Sequence, residues 1–469
     1  MNWKSLVHNA SVAFLAQGIA MGLSVVQTLL VPKLLGTTQY GYWQLFIFYV
    51  TYVGLGHLGL NDGVYLIKGG QTRNEIDKRS VNSQFVFGMG FQAVIALLIV
   101  ALAVFGGFGP DREFVITCTG IYLLIQNAAN YFSYLLQAMN ETRVSSYSKI
   151  VERLTFLAPL VVLLVVRYQS YQPFVISYMV SSLVQLFFCM WFCRDFIHAG
   201  VEPLPLAAAD AWQSIRVGFK LATANIISQL ILGIARFAID AAWGIETFGE
   251  LSLALSLVSF FLQFVMQASM VLFPALRQAH PEEVKGFFDK SRDLMSLLFP
   301  LLYVLYFPMV WLLGLWLPKY ANSFLYFAFL IPICVFDSKM NICCTTFFKV
   351  LRKETALLKV NLLTCFASAA LTLVGIFVFN SIHFVICGVV VAIVGRSLVS
   401  ETYLAGYLKA PAGTKLAIGE IALTAVFVVS ALALPTWLAI VIYCFAYAVF
   451  LLVFRGRLSA LLSKVKSLA

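Results

Sequence analysis

The sequence predicts an all-α integral membrane protein with about 14 transmembrane helices, arranged as two pseudo-symmetric six-helix lobes followed by two C-terminal helices. Three observations carry this prediction. The chain of 469 residues is 61% hydrophobic and only 11% charged, with a mean hydropathy of +0.89, far from the composition of a soluble domain. Apolar stretches of about 20 residues, the length that crosses a bilayer, recur from one end of the chain to the other. A short motif also occurs twice, as Gly36-Thr37-Thr38-Gln39-Tyr40-Gly41 and again 208 residues later as Gly244-Ile245-Glu246-Thr247-Phe248-Gly249, each time between two apolar segments.

In chain order, the apolar intervals fall near 8–32, 41–66, 84–108, 115–138, 151–167, 173–193, 217–243, 247–275, 294–316, 321–347, 356–380, 382–405, 417–433 and 435–454. Their length and lack of strict alternation argue against a β-barrel. The first lacks a small-residue cleavage site and is too long for a signal-peptide core, so it reads as the first span. The widest polar interval, 194–216 with Pro203 and Pro205, is the natural seam between repeats. The expected division is therefore an N-terminal lobe 1–203 (spans one to six), a C-terminal lobe 204–410 (spans seven to twelve), and 411–469 with spans thirteen and fourteen and a cytoplasmic tail. Span seven runs in the same direction as span one, so the repeats are parallel, and a central cleft between lobes is the simplest architecture. Intervals 69–82 and 276–292 occupy equivalent places after spans two and eight; the second alternates in charge and reads as a short interfacial helix or a solvated loop.

The net charge of +11 could indicate nucleic acid, but the placement of the cations decides against it. Of the 32 Lys and Arg residues, 22 fall in gaps taken as cytoplasmic, whereas the intervening gaps hold only Lys33, Arg112, Arg167 and Lys319. That alternation is the positive-inside pattern of an even number of spans with both termini in the cytoplasm. The nine cysteines are scattered through apolar segments with neither disulfide nor zinc spacing, and Cys189 and Cys193 share a helix face suited to packing. None of the five histidines has a metal-ligand partner at helical spacing, and no phosphate-cradling glycine loop or other cofactor motif is found.

The polar residues within the spans are the candidates for function. At about 100° per residue, Asn225, Gln229, Arg236 and Asp240 fall within roughly 60° of one face of span seven, and Asn9, Gln17, Ser24 and Gln27 within roughly 80° of one face of span one. Gln17, Gln27, Asn225 and Gln229 can both donate and accept, which suits sugar hydroxyls lining a cavity and suits equally amides that join helices inside a bundle. Arg236 could contact an anion, with Asp240 as an ion- or proton-coupling residue; at i and i+4 the two could equally form a self-neutralised pair. Asp337 and Lys339 interrupt span ten two residues apart and so point in different directions, Lys339 being a candidate for the cavity and Asp337 for ion coupling. Arg396 and Glu401 read as snorkelling side chains near a span end, and Asp62, Glu152 and Arg153 as interfacial anchors.

Several of these patches resemble one family. The paired G-x-x-x-[YF]-G, Leu58-Gly59-Leu60 ending span two, Gln137-Ala138-Met139-Asn140 before span five and Phe273-Pro274-Ala275-Leu276 leaving span eight look like the polysaccharide repeat-unit flippases. These belong to the superfamily of multidrug extruders, oligosaccharidyl-lipid flippases and polysaccharide exporters. The resemblance implies a two-lobed, alternating-access transporter in the bacterial cytoplasmic membrane. Such a transporter turns an undecaprenyl-diphosphate-linked oligosaccharide from the inner to the outer leaflet, alongside enzymes of the polysaccharide pathway; a proton or sodium gradient could supply the energy, and the sequence does not choose between them. A strongly cationic cavity, expected of peptidoglycan-precursor flippases, is not evident, since span one is uncharged until Lys33. The alternative is a multidrug or other lipid-linked substrate exporter of the same superfamily, against which the extra pair of spans argues. An enzyme acting on lipid-linked sugars would need a sizeable external loop, which the sequence lacks, and a purely structural scaffold would leave the polar stripes as an unexplained cost.

Overall fold

A computed structural model describes residue 18 and residues 21–278, 281–411 and 413–459, without the side chains of 264 and 267–281. Within it every regular element is a helix. In order these are α1 (Met21–Leu34), α2 (Thr37–Val50), a 3-10 turn (Val53–His57), α3 (Leu60–Lys68), α4 (Lys78–Phe105), α5 (Pro110–Ala138), α6 (Thr142–Val166), α7 (Gln172–Phe192), α8 (Arg194–Ile197), α9 (Leu204–Gln278), α10 (Pro281–Leu298), α11 (Leu302–Trp316), α12 (Ala321–Lys339), a π-helical turn (Met340–Thr345), α13 (Thr346–Val350), α14 (Glu354–Phe377), α15 (Ile382–Tyr407), α16 (Thr414–Ala433) and α17 (Thr436–Val453). The chain divides into two compact units, 1–226 and 227–469, so the division falls inside α9 and α16 and α17 belong to the second unit.

Each of the fourteen expected intervals falls on helix where it is described. By length and apolarity alone, nine helices among the described residues qualify to cross a membrane, or up to ten if the bent pair α2–α3 is one span, so fourteen remains a count of apolar intervals. The interval 41–66, taken as span two, holds a bent pair of helices. Leu58 (φ 49°) and Gly59 (φ 88°) are both left-handed, which stops the helix, and it restarts in α3 at an angle of 59°. The interval 194–216 is not loop throughout, because helix begins at Leu204. The linker before it is tied to α4: Arg79 donates to the Val201 carbonyl (3.1 Å), Asn82 to that of Gly200 (2.9 Å), and the Ser83 hydroxyl accepts from the Glu202 amide (2.7 Å). Of the two readings for the interval 276–292, a helix or a solvated loop, the structure has helix there, α10 beginning at Pro281.

The solvent-exposed side of the bundle is greasy and its interior partly polar, the inverse of a soluble protein. Leu97, Leu98 and Phe105 on α4 and Phe377 on α14 are all more than half exposed, as lipid-facing side chains are. Inside the first unit, Leu60, Val64, Tyr131, Phe132, Leu135 and Phe196 form an apolar core in which Cys189 and Cys193 pack as free thiols. Gly59, Gly63 and Gly218 allow α3 and the start of α9 to touch backbone to backbone: a Cβ on Gly63 would strike the Ser214 carbonyl, and one on Gly218 that of Gly59. In the second unit, Tyr303 of α11 stacks on Phe427 of α16 at 4.5 Å and meets Tyr443 of α17 edge-on at 5.6 Å, while the Tyr443 hydroxyl donates to the Pro300 carbonyl (2.6 Å).

The two copies of the hexapeptide do the same local job. Gly36 separates α1 from α2 and Gly244 breaks α9, and one turn later Tyr40 and Phe248 are both fully buried. Their backbones differ. Gly36 is extended at φ −72°, open to any residue, whereas Gly244 at φ 84°, ψ 179° lies in a region that is essentially restricted to glycine.

Candidate functional site

In the first unit, polar side chains from four helices converge. Gln27 of α1, half-buried, accepts from Arg153 of α6 at 3.5 Å, and the guanidinium also feels Tyr178 and Glu152. Glu152, fully buried, accepts from Ser182 of α7 (3.1 Å) and faces Lys149 (3.5 Å), while Gln185 bridges the two in the amide orientation that satisfies both its ends. Ser182 meets the Tyr122 hydroxyl at 3.1 Å. From there the i, i+4 spacing on α5 makes a ladder, Tyr122 to Gln126 (2.7 Å) and Gln126 to Asn130 (3.0 Å), with both amides half-buried. Arg153 and Lys149 face a single carboxylate, so the group holds a surplus cation beside neutral donors and acceptors, which suits an anionic, hydroxyl-rich ligand. Glu152 and Arg153 are therefore not the interfacial anchors expected; burial and partners on α1, α5 and α7 place them in the interior.

The other sequence candidates are scattered. Gln17 and Asn9 lie outside the described residues. Asn225 and Gln229 are exposed on α9. Arg236 is half-buried, donates to the Ser252 hydroxyl at 2.9 Å and lies 5.2 Å from the centre of the Phe248 ring, so it is anchored to the motif helix that follows Gly244. Asp240 is buried one turn further along α9.

In the second unit, the charges of spans ten, twelve and thirteen meet. Lys339, 1% exposed, has its ammonium 2.7 Å from both Glu401 of α15 and Glu420 of α16, so two carboxylates enclose it. Asp337 instead pairs with Arg396 of α15, in keeping with its different direction from α12. Arg396 and Glu401 are thus buried partners and not snorkelling side chains. Arg292 of α10, 1% exposed, lies 3.7 Å from Glu401, 3.4 Å from Asp289 and 3.2 Å from Asp293, which Arg457 also reaches at 2.8 Å. Glu250, buried one residue beyond the second hexapeptide, accepts from Asn322 at 3.0 Å. Glu420 and Glu250 were missed in the sequence, although an ionisable residue inside an apolar interval is itself the signal that should have marked them. Among the described residues, no group of three or more His, Cys, Asp and Glu is placed to hold a metal.

Outside the spans, Arg73 clamps the loop between α3 and α4. It makes a two-pronged pair with Glu141 (2.8 and 2.6 Å) and reaches Asp195 (2.7 Å), which Lys78 also meets at 2.8 Å. The hydrogen bond to Glu141 raises the Arg73 guanidinium above its ordinary value, against the effect of partial burial. Burial alone would raise the Asp195 carboxyl, but the Lys78 hydrogen bond and the charges of Arg73 and Lys78 outweigh it and hold the carboxyl below its usual range.

This helix order, with its lipid-facing exterior and polar interior, is the fold of a known class of membrane transporters. An inward-facing multidrug resistance MATE family transporter of the MOP superfamily matches with a TM-score of 0.64 at 12% identity, over 86% of this chain and 98% of its own. Lipid II flippase MurJ in an inward closed conformation matches at 0.62 and 10% identity, over 96% of this chain and 99% of its own, and an outward-facing MATE transporter at 0.56 and 12%, over 85% and 95%. These neighbours are transporters and a flippase, not enzymes. The family model for polysaccharide biosynthesis protein matches residues 6–280, more than half of the sequence, and the chain belongs to that family. No curated protein matches it.

Proposed function

We propose that the protein flips an undecaprenyl-diphosphate-linked oligosaccharide repeat unit from the inner to the outer leaflet of a bacterial cytoplasmic membrane. The observation that carries the reading is the polysaccharide-biosynthesis family match over residues 6–280. The flippase neighbour supports it, since that match takes in 96% of the chain against 86% for the inward-facing multidrug transporter. The physical demand agrees with the interior chemistry. The lipid tail of such a substrate can stay in the bilayer, whereas each sugar hydroxyl or phosphate oxygen left unsatisfied in hydrocarbon carries a large desolvation cost. A polar, cationic route is needed, and Gln27, Arg153, Lys149, Gln126 and Asn130 supply those groups in the first unit, with Gln17, Asn225, Gln229 and Arg236 as further candidate contacts.

The mechanism we infer is alternating access, in which lobes 1–203 and 204–410 rock about the head group with both termini cytoplasmic, powered by a proton or sodium gradient in which Asp240 or Asp337 takes part. Enzymes of the same surface-polysaccharide pathway are the expected partners. The test is deletion of the gene followed by analysis of lipid-linked intermediates. Accumulation on the cytoplasmic face, reversed by the restored gene, supports flipping. Unchanged intermediates together with drug hypersensitivity overturn it in favour of export.

A further inference from the structure

We propose that Asp62 and Tyr65 of α3, with Tyr134 of α5, form a subsite for one neutral sugar ring in the first unit, apart from the cationic group around Arg153. The proposal rests on the flippase reading and adds which way the head group lies. It starts from a carboxylate with no partner in the protein. Asp62 is 8% exposed, and among the described residues its only donor is its own backbone amide. A carboxylate withdrawn this far from water without a cation or a hydroxyl beside it is costly. Its remaining exposure leaves the oxygens within reach of a ligand's donors.

The fold holds this carboxylate in a set direction. Gly63 of α3 meets the Ser214 carbonyl of α9, Gly59 meets Gly218, and Asn61 donates to the Asn127 carbonyl of α5 at 3.1 Å. Those contacts occupy two sides of α3, and Asp62 and Tyr65, three residues apart, share another. Tyr65 is 40% exposed, and its ring lies 6.0 Å from that of Tyr134 at an angle of 55°. That spacing is too close for a third ring to enter, so the two phenols make one wall. Tyr134 faces Asp62 as well as Tyr65.

A carboxylate beside an aromatic wall matches the two chemistries of a sugar. Two neighbouring hydroxyls can both donate to one carboxylate, which accepts through two oxygens. The C–H face of the ring, apolar and slightly positive, packs on the negative face of a phenol. The subsite also continues the stripe already described. Tyr134 stands one turn beyond Asn130 and two beyond Gln126 on α5, which places it about 12 Å from Gln126 and about 18 Å from Tyr122, at the cationic end. Asp62 repels a phosphate that Arg153 and Lys149 attract, so the head group lies along α5 with its charged end at the cations and a ring at Tyr134. An organic cation would also suit a carboxylate and phenols. The half-buried amides of Gln126 and Asn130 that lead to the wall pair with hydroxyls, which favours a sugar.

The test uses the full chain in lipid nanodiscs with free methyl glycosides of glucose, galactose and N-acetylglucosamine, followed by saturation-transfer NMR. The expected result is transfer to the ring C–H protons of at least one glycoside. The signal falls at least about tenfold in Asp62→Ala, the worth of charge-assisted hydrogen bonds, and falls in Tyr65→Leu, an exposed position that leaves folding intact. Tyr134→Phe, which keeps the ring, retains it, whereas Tyr134→Leu loses it. Pyrophosphate does not displace the glycoside, and Arg153→Gln leaves its signal unchanged. No transfer in the wild type, a signal indifferent to Asp62→Ala and Tyr65→Leu, or displacement by tetramethylammonium overturns the proposal. Such a failure, with cytoplasmic accumulation of lipid-linked intermediates in the deletion strain, removes the subsite and leaves the flippase reading; unchanged intermediates in that strain remove the flippase reading whatever the glycosides do.

Discussion

The two units carry the same repeated motif and have filled their interiors with different chemistry. The first joins helices through amides, hydroxyls and aromatic rings around Arg153 and Lys149, and its charged contacts otherwise gather at the loop clamp of Arg73. The second drives ion pairs into the core, where Lys339, Glu401, Glu420 and Arg292 are all nearly inaccessible. Half-buried amides beside a surplus cation can exchange partners with a hydroxyl-rich anion at little cost. Buried ion pairs cannot let go so cheaply, since losing one partner strands the other in a medium that solvates it poorly. A duplicated scaffold can therefore divide its work, one interior suited to a ligand that comes and goes and the other to a charge held tightly.

The largest effect that would break this comparison is loss of the second unit's central cation. Lys339→Met leaves two buried carboxylates without their partner and should destabilise by about 3–5 kcal/mol, seen as loss of monodisperse protein on size exclusion, with partial recovery on adding Glu420→Gln. If the single variant stays folded at wild-type yield, the triad is not the keystone described. Next, Arg153→Gln in the first unit and Arg236→Ala in the second should each cut transport roughly ten- to a hundredfold while abundance is unchanged, the cost of a lost charge-assisted contact. Wild-type transport in either variant removes that arginine from the site.

The duplicated glycines sharpen the contrast. Gly244→Ala forces a side chain into its left-handed backbone and should cost about 1–3 kcal/mol, whereas Gly36→Ala, at an ordinary φ with open space around it, should be close to neutral by thermal melting. The smallest effect belongs to the loop clamp. Arg73→Ala removes partly exposed pairs worth under about 1 kcal/mol. Because the Asp195 carboxyl is held low in the folded protein, its contribution is present at neutral pH and fades on acidification as pH falls through that lowered value. The melting temperature of Arg73→Ala should accordingly approach that of the wild type in acid; a constant gap across pH would contradict the clamp.

Much of the site was half-legible. Gln27 and Arg236 were visible as polar positions on apolar helices, because a 3.6-residue period puts a stripe in plain view. The partner of Gln27 was not, since Arg153 lies 126 residues away and near the edge of its apolar interval, where an anchoring role looked sufficient. Lys339 and Asp337 are separable by direction in the sequence, but nothing local announces that Glu401 and Glu420 close over Lys339. Leu58–Gly59 reads as an end of span two, because a left-handed step looks the same in sequence whether a helix stops there or resumes at an angle.

What the sequence determined by itself is whatever hydropathy and short-range spacing encode: helices that must satisfy their own backbones in lipid, their places along the chain, and a motif used twice with a glycine at each break. What only tertiary structure decided is which buried charges meet. Lys339 and Glu420 are 81 residues apart, Asp337 and Arg396 are 59 apart, and such partners are chosen by how α12, α15 and α16 pack, a long-range outcome that no local pattern of residues contains.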